Sequence, residues 1–368
     1  MATRSLPHPC ERLSCFVMLD FLYFLRHFAV AALTILFRNM APRQFAIREQ
    51  SFPALNAFFS RCVLTIEPGT TCAGWICASF GVKRQRDWPA GAILAQAADM
   101  QDGSTFWLCA QPVHLRIERD DLLLLPPSKL RLSAEESRTL LAFLQPYCAN
   151  HGLQLGHVDT GLWCIGASRA QSLCTTEIEL AQGHSLNDLL PTGDDGPFWQ
   201  RLVTELQMVL HEHPVNMARE QRDEPLVNSV WLWGGGTACG IHRHFDRMKV
   251  TDPLLRASAR LSGAQLAQSA CNFDDLISVD AAPGQHSMVE FDFSSDTEPA
   301  GTLSRLESDW MALAWQALGE GRLDELTVVV VADPGRLLIC RCDRKARRRF
   351  WKRSKPFDQQ LDRWQLER

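Results

Sequence analysis

The segment Gln207–Gly236, QMVLHEHPVNMAREQRDEPLVNSVWLWGGG, carries polar side chains at spacings that chemistry can use. A helix ends near His213 and Pro214, Asn216 and Arg219 follow on a polar turn, and Asn228 lies in an apolar strand that runs into Gly234, Gly235 and Gly236. Glycines at the carboxyl end of a buried strand let backbone N–H groups approach an anion closely. A guanidinium suits two parallel bonds to phosphate or carboxylate. His213, Asn216, Arg219, Asn228, Gly234, Gly235 and Gly236 are therefore candidate binding residues for a small anionic ligand, such as a phosphorylated metabolite. The glycines lack the GxGxxG or GxxxxGK[ST] spacing of nucleotide loops. The competing reading is structural: the glycines permit a tight turn, Trp231 and Trp233 pack in the core, and Arg219 buttresses the loop.

Other constellations are sparser. His242, His244 and Asp246 alternate in HRHFD; on a strand they would share one side, as in a two-His-one-carboxylate metal site. A solvated loop after the glycines is the plainer expectation. His157 and Asp159 alternate likewise, without a GxSxG elbow to suggest a serine hydrolase. His211 and His213 stand two apart, which is wrong for one helix face. The thirteen cysteines are odd in number, scattered and without a CxxC pair. They read as small core hydrophobes in a reducing compartment, so a cytoplasmic location is expected and a zinc ribbon is not. No cofactor is expected. Arg341–Lys355, RCDRKARRRFWKRSK, has nine basic residues and one acid, with Phe350 and Trp351 interleaved. Such a run can bind nucleic acid or anionic membrane, or can be a solvated edge. The whole chain, of 368 residues and net charge −4, is no general electrostatic binder of nucleic acid.

The elements that must position these groups follow from periodicity. Ser51–Cys62 reads as a short amphipathic helix. Ser133–Asn150 reads as a helix opened by a Ser133/Glu136 capping box, and Gly196–His213 as a second helix. Ala92–Ala97, Thr105–Ala110, Leu153–Ile165, Thr175–Ala181 and Ser287–Phe293 read as strands. Val113–Leu125 reads as a strand pair. Val227–Trp233 reads as an interior strand. Leu326–Val331 and Arg336–Arg341 form a predicted hairpin, and Ser308–Leu318 a helix. Helices and strands alternate, which implies an α/β fold with a mixed sheet covered by helices. Pro126 and Pro127 suggest a subdomain break near residues 126–132.

Residues 1–39 read differently. Cys15–Phe37 is very apolar but interrupted by Asp20, Arg26 and His27, each costly in a bilayer. Met40 reads as the opening of a globular domain spanning 40–368. The preceding residues are expected to be an extension foreign to the fold, or a peripheral membrane segment over residues 15–37.

The stretch QMVLHEHPVNMAREQRDEPLVNSVWLWGGG also resembles the hallmark of the RpfE-type regulatory proteins of bacteria. Asp87-Trp88-Pro89, Pro112-Val113-His114-Leu115, Leu190-Pro191-Thr192-Gly193, Leu306-Glu307-Ser308-Asp309-Trp310 and Arg349-Phe350-Trp351-Lys352 resemble further elements of that family; Gln111 stands where its pattern has Asp. The match runs over most of Met40–Pro356. It implies a regulatory protein without established chemistry. A more distant resemblance is to archaeal-type cofactor-independent phosphoglycerate mutases of the alkaline-phosphatase-like group, through His213, Pro214, Asn216, Arg219, Asn228, Trp231, Trp233, Gly234 and Gly236. It implies an alkaline-phosphatase-like core and, as the alternative function, a metal-dependent phosphomutase or phosphatase with two divalent metals held by Asp and His and a Ser nucleophile. That apparatus would begin with a strand followed by Asp-Gly near the N-terminus, and the sequence shows no such element: Asp102-Gly103 and Asp195-Gly196 both fall in turns.

Overall fold

The computed structural model describes residues 31–40, 52–100, 103–118, 121–182, 184–186, 188–268, 270–277, 284–294, 299–333, 335–349 and 351–366. Thirteen strands are described: β1 (Ala32–Arg38), β2 (Val63–Pro68), β3 (Phe106–Val113), β4 (Leu115–Glu118), β5 (Asp121–Leu124), β6 (Leu153–Asp159), β7 (Leu162–Ala167), β8 (Ser229–Thr237), β9 (Arg247–Lys249), β10 (Gln265–Leu266), β11 (His286–Asp292), β12 (Glu325–Asp333) and β13 (Arg336–Asp343). The larger sheet has seven strands in the order β10-β9-β11-β1-β12-β13-β2. Its first five strands are parallel, and the β12–β13 hairpin and β2 add antiparallel pairings at one edge. The smaller sheet, β6-β7-β3-β8, is antiparallel throughout.

β1 corrects the expectation for the N-terminus. It lies inside the large sheet, pairing in parallel with β11 on one side and β12 on the other. Leu33, Ile35, Leu36 and Phe37 are fully buried. Parallel strands covered on both faces are continuously apolar, because both faces meet core. That pattern made the segment look like part of a membrane-seeking run. Residues 32–38 thus belong to the fold, and the boundary expected after residue 39 cuts through it. Residues 1–30 lie outside the described set. Among the described residues no helix is long and apolar enough to cross a membrane. The break expected near residues 126–132 is only a short helix, Pro127–Leu130, and strands from either side of it, β3 and β7, pair in the smaller sheet.

Side-chain alternation sorts the core into layers. Leu33, Ile35 and Phe37 face helices Pro53–Arg61, Ala312–Glu320 and Phe357–Leu366 on one side of the large sheet. Leu36 faces the opposite side, where helices Cys72–Ser79, Ala90–Ala97 and Pro253–Ser262 fill the space between the two sheets. On β3, Trp107 and Cys109 point into that middle layer, and Phe106, Leu108 and Ala110 point outward to helices Ala134–Asn150 and Gly196–His211. The observed mixed α/β fold, with sheets covered by helices, is the class expected from the sequence.

Several local readings hold and several change. The Ser133/Glu136 capping box is present in both directions. Ala90–Ala97 is a helix rather than a strand. Its small residues allow close packing on β3, and a Cβ on Gly91 would stand 2.5 Å from the Leu108 carbonyl carbon. Thr175–Ala181 is no strand: Thr175–Glu177 is irregular and Ile178–Ala181 is a short helix. Gly196–His213 stops at His211, and a new helix, Pro214–Gln221, starts with His213 as its cap. Before Ala312 the chain makes a π-helical turn, Glu307–Met311, and the Glu307 carboxylate accepts from the N–H groups of Ala54 and Leu55 at 2.6 and 3.0 Å. There it meets the positive end of the helix Pro53–Arg61.

Candidate functional site

The carboxyl ends of β1 and β11 and the loop after β9 converge on a cavity of about 470 Å³ between the sheets. Such strand ends are where open α/β sheets place their ligands. Arg38 and Asp292 are register partners at the ends of β1 and β11. Asp252 caps the helix Pro253–Ser262, its Oδ1 accepting from Leu255 N–H at 2.9 Å. Glu177, Glu179, Asp159 and Trp233 also line it, and Glu179 accepts from the Cys72 N–H at 3.4 Å.

Arg38 organises this end of the cavity. One terminal nitrogen donates to Asp252 at 2.7 Å and to Glu290 at 2.9 Å. The remaining Glu290 oxygen accepts from the backbone N–H groups of Thr251 and Asp252 at 2.6 and 2.9 Å and from the Thr251 hydroxyl at 3.1 Å. Burial works against the Arg38 charge, but the surrounding carboxylates, Asp252 foremost, outweigh it and hold its pKa well above the ordinary value. Burial also raises the Cys72 thiol at the start of the helix Cys72–Ser79, and Glu179 adds to that effect. Burial pushes Glu177 up to about 7, opposed by a hydrogen bond from Thr71 and reinforced by Glu179. A carboxyl group that changes charge near neutral pH is suited to proton transfer.

The residues singled out in the sequence sit elsewhere. Arg219, 1% exposed, donates to the carbonyls of Pro225, at 2.7 Å, and Leu130, and to Glu136 at 2.8 Å. Asn216 donates to the carbonyls of Leu210 and Val227 and accepts from Val227 N–H, all at 2.7–2.8 Å. Asn228 brackets Leu115, bonding both its N–H and its carbonyl at 2.7 Å. His213 accepts from Val215 N–H at 3.2 Å and packs on Phe143, and burial lowers its pKa. These four groups brace the junction between helix Pro214–Gln221 and β8.

Gly234, Gly235 and Gly236 lie inside β8, not on a turn after it. Gly234, at φ +67°, donates its N–H to the Thr175 hydroxyl at 3.0 Å, and that hydroxyl in turn donates to the buried Asp87. A Cβ on Gly236 would meet Pro89 at 2.4 Å. The glycines serve close packing against the DWP turn. β8 is buried as expected, but it is an edge strand of the smaller sheet rather than an interior one.

HRHFD is a loop, so His242, His244 and Asp246 do not alternate on a strand. His242 is exposed, His244 packs edge-to-face with Phe245 and His286, and Asp246 accepts from His286 N–H and pairs with Arg243. Among the described residues, no group of three or more His, Cys, Asp or Glu is arranged to hold a metal ion. His157 is exposed on β6, and Asp159 alone of that pair lines the cavity.

The cavity residues were missed in the sequence because Arg38, Asp252 and Glu290 meet only in three dimensions, 214 and 252 residues apart. One local signal was present. Apolar strands followed at once by a charged residue, as at Arg38 and Asp292, mark strand ends in parallel sheets.

No family model matches the chain. It is similar over part of its length to curated phosphoglycerate mutases that do not depend on 2,3-bisphosphoglycerate. The protein of Methanosarcina barkeri is 30% identical over 113 residues, 29% of this chain and 27% of that protein. That of Methanosarcina acetivorans is 39% identical over 69 residues, 19% of this chain and 17% of that protein. The probable mutase of Geobacter sulfurreducens is 25% identical over 176 residues, 47% of this chain and 42% of that protein. The chain therefore spans less than half the length of these relatives. Among solved structures, the PH0037 protein of Pyrococcus horikoshii superposes with a TM-score of 0.47 at 13% identity over 86% of this chain and 88% of that one. A cofactor-independent phosphoglycerate mutase of Thermoplasma acidophilum superposes with a TM-score of 0.39, also at 13% identity, over 86% of this chain and 90% of that one. By sequence the chain is a distant, partial homologue of the cofactor-independent phosphoglycerate mutases.

Proposed function

We propose that this protein is a non-catalytic relative of the cofactor-independent phosphoglycerate mutases, built on an alkaline-phosphatase-like core and serving a regulatory role of the RpfE type. The observation that carries this reading is the engagement of Arg38 with Asp252 and Glu290. Two divalent metals need open carboxylates or imidazoles at strand ends. Here the first central strand ends in Arg38-Asn39 rather than Asp-Gly. Both Asp252 oxygens and both Glu290 oxygens are already used by a guanidinium and by backbone or hydroxyl donors. Asp252 and Glu290 are therefore not open to a two-metal centre. The partial similarity to the mutases supports the ancestry, and the RpfE-like elements support the regulatory role. The guanidinium of Arg219 and the N–H of Gly234, which a small anion would use, donate to protein acceptors.

The test is direct. Purified protein is assayed for interconversion of phosphoglycerate isomers with added manganese or magnesium, and its melting temperature is followed across a manganese titration. The expected result is no turnover and no metal-dependent shift. Arg38→Ala frees two carboxylates, and manganese should then raise its melting temperature. Turnover by the wild-type protein that disappears with chelator would overturn the proposal.

A further inference from the structure

The segment Arg341–Lys355 leaves the core at one point and returns at another, and its charges stand between the two anchors. Ala346 is buried, and Asp343 caps the short helix Arg344–Arg347 through Ala346 N–H at 2.5 Å. Arg347 is fixed by a bond to the Trp315 carbonyl at 2.9 Å and lies over the Trp315 ring. The return is held by Lys355 N–H on the Ser60 hydroxyl at 2.9 Å, by Phe357 N–H on Asn56 at 2.7 Å, and by the buried Phe357 ring.

Between these points Arg348, Lys352, Arg353 and Lys355 are exposed, and Lys345 is exposed just before them. Among the described residues, the ion pair recorded for the segment is Arg344 with Asp324. In a chain of net charge −4, cations so concentrated and so little neutralised set up a local positive field. Trp351 sits among them with 68% of its surface exposed. Single-stranded nucleic acid fits this combination. Its backbone takes the cations, and its bases stack on an aromatic face whatever their identity. Insertion into a membrane surface favours an amphipathic helix with an apolar stripe, and here residues 351–356 form no helix.

We propose that residues 344–349 and 351–355 form a binding surface for single-stranded nucleic acid, with Trp351 as the stacking platform and Arg348, Lys352, Arg353 and Lys355 as phosphate contacts. The inference is independent of the central cavity and of its proposed ancestry. The probe is a labelled oligothymidylate, followed by fluorescence anisotropy against the full-length protein, beside a duplex of matched length and vesicles containing phosphatidylserine. The wild-type protein should bind the single strand tighter than the duplex, and affinity should fall with salt at a log–log slope of up to about −3, as about 0.7 per phosphate contact for a single strand implies. Trp351→Ala should weaken single-strand binding about tenfold, the loss expected when one stacking contact is removed, and leave duplex binding unchanged. Lys352→Glu with Arg353→Glu should abolish both. These side chains are exposed, so unchanged melting temperatures would show that the variants remain folded. Absence of saturable oligonucleotide binding at low salt, equal affinity for single strand and duplex with no effect of Trp351→Ala, or vesicle binding in preference to the oligonucleotide would each overturn the proposal.

Discussion

A chain beginning at Met40 should not fold. It would lack β1, which supplies the shared partner of β11 and β12 inside the seven-stranded sheet. Four side chains that are fully buried, Leu33, Ile35, Leu36 and Phe37, would leave the core together. Trimming one buried Leu or Ile to Ala costs about 2–5 kcal/mol, and a Phe about 3–5 kcal/mol, so the four together represent about 9–20 kcal/mol. A domain's whole stability is about 5–15 kcal/mol. The lost ladder bonds of both neighbours add to the deficit. Far-ultraviolet circular dichroism with thermal melting reads the outcome, and Phe37→Ala in the intact chain gives a graded version. Phe37 packs edge-on against Phe291 and Phe293 at 6.3 and 6.2 Å. That variant should stay folded and melt on the order of 10 °C lower. Cooperative melting of the Met40 chain at the wild-type temperature would refute the placement of β1 and the layered core built on it.

Two further outcomes follow from particular side chains. Arg219→Lys should destabilise the ligand-free protein by about 2–4 kcal/mol, since an ammonium cannot serve three separated acceptors in a buried setting; a denaturant midpoint unchanged from wild type would show that the guanidinium is not a brace. Glu177 has its folded pKa raised, to about 7 from 4.5. Its contribution is therefore fully present below the unfolded value and is lost as pH rises through the folded one. Glu177→Gln should remove that loss, leaving the variant more stable than wild type above pH 7 by on the order of 2 kcal/mol and flattening the stability profile between about pH 4.5 and 7. Parallel profiles for the two proteins would dismiss the shift.

What the sequence disclosed depended on whether the deciding contacts were local. The helix over Ala134–Asn150 was legible because its capping box closes within four residues, and the β12–β13 hairpin because its turn lies between two apolar runs. Ala90–Ala97 was misread because a helix buried on nearly all sides has no polar face to set its period. β1 was misread for the same reason in a strand, because the apolar residues just upstream continue its run and suggested a membrane segment instead. Arg219 and Asn216 are buried and Asn228 half-buried. Their partners are backbone groups and, for Arg219, the Glu136 carboxylate, and several of them lie far away in the chain: Glu136 and Leu130 for Arg219, Leu115 for Asn228. The Arg38 cluster could not be read from spacing at all.

The position of β1 also sets an order of assembly. The strands and helices of the smaller sheet, from Ala90 to Thr237, all lie within one continuous stretch of chain. By contrast, Leu36 pairs with Glu290 and Val329, which emerge from the ribosome long after it does. Closing contacts across such separations is slow, because loop entropy must be met before any pairing rewards it. During synthesis the apolar run Leu33–Phe37 therefore waits without partners while the smaller sheet condenses, and the large sheet closes around it only when β12 arrives. A nascent chain of this topology carries Leu33–Phe37 as an exposed β-forming segment until β11 and β12 emerge, which makes that segment a natural point of capture by a chaperone and a natural seed of aggregation when capture fails.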